Sequence, residues 1–473
     1  MTVPLPPAGG TARNQSPSQP AARRSGSRRP GWAHMWAGVF APPGLSVPRH
    51  RATTAHLSAV YPCQTEAGLG PNGLYLGTDG LSGGAAFCFD PFVLYTERVI
   101  NSANILVLGR QGFGKSTFVK TFLYRCVGAL GAPGPEGTPA AGGRWAAICD
   151  PKGEYGELAE ALGLQVVRLH PGGVARINPL DAGPSGGADR AGLEMRRTAM
   201  VTALLTAVLR RDPTPEEESA VASAVAAVTH GRHDEPTLVD VAALLAEPTG
   251  EMADAAGCSP GELAGECRQA RLALGRLLSR DLRGMFDGRS TVRIDWSGRG
   301  VVLDLSAVHQ DPDALATVMI PATSWLSSFM ADPNPAAPRK VQVIEESWAM
   351  LRQAKVAFYL QSCWKLCRDY GVANVAVAHR LSDLRSQTDD GTATAKVAAG
   401  LLADTETRVI FRQSADQKEE ARAMLGLSAR EAELVVRLAK GVALWKVGNH
   451  TAVVTHRVGR RERFVDTDRR MVV

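Results

Sequence analysis

From about residue 70 to the C-terminus, short apolar runs alternate with amphipathic stretches, the pattern of a sheet covered by helices. Leu74-Tyr-Leu-Gly77 and Ala86-Phe-Cys-Phe89 are brief apolar runs between Gly-rich turns and read as strands. Ile105-Leu-Val-Leu108 is apolar throughout, as expected of a parallel strand buried on both faces. Phe118, Val119, Phe122, Leu123 and Cys126 then recur at helical spacing and predict a helix over about 115–127. Trp145-Ala-Ala-Ile-Cys149, ending at Asp150, predicts another buried strand, followed by a helix near 155–162 and a strand at 165–169. This order places helices on both faces of a mainly parallel sheet.

Between about 186 and 290 the pattern is almost purely helical, with helices expected at 192–211, 215–230, 237–246 and 261–280. Strands return at Val292-Arg-Ile-Asp295, Val301-Val-Leu-Asp-Leu305 and Val341-Gln-Val-Ile344, and further strands are expected at 373–378, 407–412, 441–447 and 451–457. The expected organisation is a Pro/Arg-rich tail over 1–55, a first part of an α/β core over 56–185, an all-helical insertion over 186–290, and the rest of the core over 291–473. The Gly/Pro/Ala-rich stretch 131–143 reads as a surface loop, and no internal repeat is present.

Composition changes this picture in one place. The net charge of +6 is carried by the tail, which has seven Arg and no Lys, Asp or Glu; subtracting those seven leaves −1 for the remainder. The body is therefore not a strongly basic nucleic-acid binder by composition. The tail's Arg-rich, acid-free make-up is shared by organellar transit peptides, but its scattered Pro and Gly favour a disordered tail or an overextended start. The eight Cys form no Cys-x-x-Cys pair and no Cys/His metal spacing, which suits a reducing interior. No apolar run approaches the roughly 18–20 residues that cross a bilayer, and the expected location is cytoplasmic.

The strongest chemical signal is Gly-x-x-x-x-Gly-Lys-Ser, filled by Gly109, Gly114, Lys115 and Ser116. It follows a buried strand and opens a helix, so backbone N–H groups and the helix dipole would meet phosphates. The expected cradle for ATP comprises Gly109, Arg110, Gln111, Gly112, Phe113, Gly114, Lys115, Ser116 and Thr117. Lys115 would reach the β- and γ-phosphates and Ser116 would ligate Mg²⁺. A Gly-rich turn that merely caps a helix is the bland alternative. Val341-Gln-Val-Ile-Glu-Glu-Ser-Trp348 supplies two acids after a buried strand: Glu345 to hold Mg²⁺ through water, Glu346 to polarise the attacking water. The same residues would also suit a helix N-terminus, where the dipole favours acids. With an upstream phosphate loop and strand 301–305 intervening, the hydrolytic reading prevails. It points to an α/β, RecA-like P-loop NTPase core.

Four segments come in the order seen in one family: Asp150-Pro-Lys-Gly-Glu-Tyr155, Arg176-Ile-Asn-Pro-Leu-Asp181, Glu346-Ser-Trp348 and Thr405-Glu-Thr-Arg-Val-Ile-Phe-Arg-Gln413. Over roughly residues 70–460 the chain resembles the large traffic ATPases of type IV secretion and conjugation machines, within the HerA–FtsK superfamily of hexameric motors; actinobacterial members look most alike. The resemblance implies a homo-oligomer, with a hexamer expected, that works with secretion or conjugation channel components at the inner face of the membrane, and a helical insertion after Asn178-Pro-Leu180. It implies that Arg368 is an arginine finger reaching a neighbour's γ-phosphate, although a helix-end Arg answering the dipole fits equally. His379 stands where relatives carry a polar sensor, commonly Gln. Arg408 and Arg412 are expected on one face of a strand, with one of them near nucleotide. Asp150 is expected to border the nucleotide, and Lys152 and Glu154 to stand behind the reacting groups. Glu345 replaces the Asp of many relatives, which implies slower hydrolysis. The relatives' N-terminal docking domain is mostly missing ahead of residue 56, so docking is expected from a separate protein. Two other functions compete: a translocase acting directly on duplex DNA, which the near-neutral body disfavours, and a nucleotide-binding scaffold without turnover.

Overall fold

A computed structural model describes residues 68–130, 143–183, 190–231, 235–280, 282–295, 298–331, 338–347, 354–366, 369–378, 400, 402 and 404–465. The predicted tail, most of the 131–143 loop, Trp348, Arg368 and His379 lie outside the described residues.

Eleven strands among these residues form one sheet: β1 (Leu74–Asp79), β2 (Ala85–Phe89), β3 (Ile105–Leu108), β4 (Arg144–Asp150), β5 (Gln165–Arg168), β6 (Gly300–Asp304), β7 (Arg339–Ile344), β8 (Val372–Ala378), β9 (Thr407–Ile410), β10 (Val442–Val447) and β11 (His450–His456). Their order across the sheet is β2-β1-β11-β10-β9-β3-β8-β7-β4-β6-β5. The seven strands from β9 to β5 run parallel, and β10, β11, β1 and β2 add an antiparallel wing. The architecture is the expected mixed α/β one.

Alternation along the central strands divides the core between the two faces of the sheet. In β3, Ile105 and Val107 join one apolar cluster, while Leu106 and Leu108 join the other. The first cluster is closed by α1 (Pro91–Thr96), α2 (Lys115–Leu130) and α3 (Gly156–Leu162); on the opposite face lie the helices between 190 and 279, together with α10 (Pro312–Met330). Those intervening helices are α4 (Arg190–Leu209), α5 (Pro215–His230), α6 (Leu238–Ala246), α7 (Gly250–Ala256), α8 (Pro260–Glu266) and α9 (Arg268–Ser279). Described residues 190–279 contain no strand. Thr214 and Ser259 begin α5 and α8 with capping boxes to Glu217 and Glu262. The single helix expected at 261–280 is two helices separated at Cys267, and α7 was not anticipated.

The segment 176–181 staples the helical region to the sheet. Asn178 is fully buried: its side-chain N–H donates to the Pro236 carbonyl at 2.9 Å, and its backbone N–H donates to Ser290 Oγ at 2.8 Å. Asp181 accepts from Ser290 Oγ at 2.6 Å and from the Trp325 indole at 3.0 Å.

Two strand expectations need correction. Residues 292–295 are not a strand, because they reach β5 through the Gln165 side chain rather than through a backbone ladder: its amide donates to the Arg293 carbonyl and accepts from the Asp295 N–H. Strand β9 ends at Ile410, so Arg412 lies beyond it and does not share a strand face with Arg408. Arg408 instead donates to the carbonyls of Leu402 and Leu425, a structural tie.

On the first face, Asp90 fastens α1 to β4. Its carboxylate accepts from the N–H groups of Phe92 and Val93, and it pairs with the buried Arg144 guanidinium at 2.9 Å. Arg144 also lies over the Phe92 ring. Removing one partner strands a buried charge, so Asp90→Ala is expected to cost about 3–5 kcal/mol in urea unfolding. A loss under about 1 kcal/mol would show that this pair is not a fastening point.

Candidate nucleotide site

Strand β3 lies between β8 and β9, buried on both faces, and the loop 109–114 leaves its C-terminal end to enter α2. The loop conformation demands glycine at its first position. Gly109 has φ +149°, and a Cβ there would fall 2.5 Å from Phe411 Cβ. Gly112 and Gly114 also have positive φ. Two backbone bonds pin the loop to the β9–β10 side: Arg110 N–H to the Arg412 carbonyl at 2.9 Å, and Gly441 N–H to the Phe113 carbonyl at 3.1 Å. The guanidinium groups of Arg110 and Arg412 both lie near the Phe113 ring, 5.9 and 5.2 Å from its centroid.

Lys115 is buried at the start of α2, and its ammonium donates to the loop's own carbonyls, Gly109 at 2.5 Å and Arg110 at 3.1 Å. Ser116 and Thr117 are half-buried beside it. The first turn of α2 carries no acidic side chain, so nothing there offsets the dipole that would attract an anion. An aromatic cluster of Phe118, Phe411, Trp445 and His456 braces this helix against the wing. His456 is held neutral: burial pushes its pKa down to about 4. The Trp445 indole donates to its Nε2, so its Nδ1 donates to the Gly441 carbonyl. Beside the loop opens a cleft of about 410 Å³ bordered by Gly114, Thr117, Phe118, Gly441 and Arg457.

The two acids stand on the same edge of the sheet. Leu108 pairs with Ala378 and Ile344 with Ala376, so β3 and β7 end within two residues of one another on either side of β8. Two strand spacings separate them, about 10 Å. The strand between phosphate loop and acids is therefore β8; the segment expected in that role is β6, which lies on the far side of β7, next to β4. Beyond β7 the chain leans over β8, where Ser347 Oγ donates to the Val377 carbonyl at 3.1 Å. Glu345 and Glu346 are 6% and 3% exposed. Glu346 adopts φ +51°, a conformation that costs a non-glycine residue about 1–3 kcal/mol and is met chiefly at functional sites.

The turn 150–155 answers this buried charge residue by residue. Asp150 organises the turn by accepting the N–H groups of Lys152, Glu154 and Tyr155. Lys152 forms an ion pair with Glu346 Oε1, and the Tyr155 hydroxyl donates to Glu345 Oε1 at 2.5 Å. Glu154 pairs with Lys120 of α2 at 3.7 Å, and the Lys120 ammonium lies over the Tyr155 ring. Burial lowers the Lys120 pKa against the pull of Glu154, Glu345 and Asp150, acids whose charges act on it from beside the phosphate-loop helix. Lys152 thus stands directly behind Glu346, in ion-pair contact with it. Tyr155 and Lys120 were not anticipated as site residues; a lysine between Val119 and Phe122 on an apolar helix was the available signal, since a buried ammonium requires acids nearby.

No protein-family model matches the chain, and no curated protein matches it. Solved structures do. VirB4 of Thermoanaerobacter pseudethanolicus matches with 18% identity and a TM-score of 0.65, over 84% of this chain and all of that one. The chain shares the VirB4 fold. The plasmid coupling protein TrwB, in complex with the non-hydrolysable ATP analogue ADPNP, matches with 18% identity and a TM-score of 0.51, over 76% of this chain and 86% of that one. TrwB in complex with ADP and Mg²⁺ matches at 17% identity and a TM-score of 0.50, over 76% and 85% of the two chains.

Burial above all raises the Glu345 pKa from 4.5 to about 7, against the Tyr155 hydrogen bond and the Lys152 charge. The unfolded chain loses this proton near 4.5 and the folded chain near 7, so the folded state binds more protons in between. Its stability therefore falls as pH rises through that window. In metal-free protein, Glu345→Gln is expected to raise the melting midpoint at pH 8 relative to wild type, by an amount equivalent to up to about 3 kcal/mol, with a smaller gain at pH 5. An equal effect at both pH values would show that Glu345 does not ionise in this window.

Proposed function

We propose that the chain is an ATP-hydrolysing motor subunit of a type IV secretion or conjugative transfer machine. The carrying observation is the edge shared by the phosphate loop and Glu345–Glu346 across one intervening strand, in a fold shared with VirB4 and TrwB. On this reading the triphosphate lies along loop 109–114 and the N-terminus of α2. Lys115 exchanges the carbonyls of Gly109 and Arg110 for the β- and γ-phosphates. The cleft beside Gly114, Thr117 and Gly441 gives the nucleoside its room, and Asp150 shapes the neighbouring turn without touching phosphate.

The donor set suits Mg²⁺. The Ser116 hydroxyl and the Glu345 carboxylate are hard oxygen donors, and the described residues hold no cluster of three or more His, Cys, Asp or Glu fit for a metal. An ion held by few protein ligands, with phosphate and water completing its shell, is the usual way proteins hold Mg²⁺. When bound, it neutralises developing phosphate charge. Glu345, buried and hard to ionise alone, would gain a compensating cation. Glu346 would orient the attacking water and take its proton. Arg368 would complete the site of a neighbouring subunit in a ring, expected to be a hexamer, and His379 would sense the terminal phosphate. No helix among the described residues is long and apolar enough to cross a membrane. Docking at the inner membrane face through channel components fits that absence, with DNA or protein as the cargo.

Purified protein should hydrolyse ATP with Mg²⁺ over many turnovers. Lys115→Ala should abolish turnover. Glu346→Gln should bind ATP within about twofold of wild type yet lose about 10²–10⁴-fold in kcat. Normal turnover by Glu346→Gln would place the general base elsewhere, and no turnover by wild type under any assembly state would leave a nucleotide-binding scaffold. Arg368→Ala should lower turnover only in the assembled ring; an equal loss in monomers would contradict action in trans.

A further inference from the structure

Lys152 occupies an unusual place for a residue outside the phosphate loop. It projects from the turn after β4, yet its ammonium reaches across to a glutamate after β7, and that glutamate carries positive φ. The three neighbouring acids have partners of their own. Asp150 accepts three backbone N–H groups, Glu154 takes Lys120, and Glu345 takes the Tyr155 hydroxyl. Lys152 is thereby matched to Glu346. The Glu346 side chain is 4% exposed and that of Lys152 is 23% exposed, so the pair is largely desolvated. A desolvated carboxylate without its cation would move toward solvent or take up a proton, and either change removes a well-placed base.

We propose that Lys152 is a positioning residue for hydrolysis: its ion pair fixes the carboxylate of Glu346 at the end of β7, and the rate of ATP cleavage depends on Lys152 through Glu346. This rests on Glu346 being the general base. Lys152 itself belongs neither to the phosphate loop nor to the residues proposed for Mg²⁺, although its charge also acts on Glu345. Its influence is on geometry, and displacement of a reacting group by about 1 Å can cost about 100-fold in rate.

The test compares Lys152→Met, Lys152→Arg, Glu346→Gln and the Lys152→Met/Glu346→Gln double variant in the full chain. For each, ATP affinity, single-turnover rate and thermal melting are measured. Lys152→Met is expected to lower the rate about 100-fold with ATP affinity within about twofold, and Lys152→Arg, which keeps the charge, to restore most of it. The double variant is expected to be no slower than Glu346→Gln alone, since residues acting as one unit are not additive. It also contains no stranded buried carboxylate, so it folds even where Lys152→Met is unstable. Wild-type rate in Lys152→Met with Glu346→Gln inactive overturns the positioning role and leaves the general base in place. A full multiplicative loss in the double variant overturns it too. Full turnover by Glu346→Gln removes the reading on which the inference rests, a result distinct from either.

Discussion

Two carboxylates buried side by side at the end of a parallel strand are the constraint around which the rest of this site is built. A buried ionised carboxylate is tolerated only with a cation or donors facing it. The chain supplies them from one short turn, with Lys152 against Glu346 and Tyr155 against Glu345. The turn is in turn held by Asp150, and its Glu154 reaches Lys120 on the phosphate-loop helix. Acids, turn and helix therefore form one electrostatic unit rather than three neighbouring motifs. The charge at the end of β7 is also what the proposed Mg²⁺ would compensate, beyond what the protein alone supplies.

The phosphate loop depends on a different kind of support. Its glycines allow close approach to Phe411 and Gly441, and the antiparallel wing carries the aromatic cluster that braces α2. The parallel half of the sheet thus delivers strand ends for chemistry, while the wing fixes the helix on which phosphate would rest. Ligands of open α/β sheets gather beyond the C-terminal ends of strands, and here β3, β4, β7 and β8 all end at that edge.

Local features were legible in the sequence and non-local ones were not. The change from a continuous apolar run at 105–108 to helical spacing at 118–126 marked strand, loop and helix together, because the signal lies within 20 or so residues. The helical stretch 190–279 was legible for the same reason. Strand order was not: 301–305 precedes the acids in sequence, but β8, which follows them, intervenes in space. Residues 292–295 carry the alternation of a strand and lack only a ladder, which no local pattern reveals. The bond from Tyr155 to Glu345 spans 190 residues, and the Lys152–Glu346 pair is similarly long-range. The 150–155 motif was visible as a string, while its role as counter-charge to the acids appears only once β4 and β7 pair.

The account turns on where a triphosphate sits relative to the acid pair. The most direct measurement is a structure of the chain with Mg²⁺ and a non-hydrolysable ATP analogue. The account predicts phosphates along loop 109–114, the Lys115 ammonium moved from its own loop carbonyls to the β- and γ-phosphates, the metal between Ser116 and Glu345, and the Glu346 carboxylate facing the terminal phosphate. A nucleotide bound elsewhere, or one bound in the loop with Glu345 and Glu346 both directed away from it, would contradict the account.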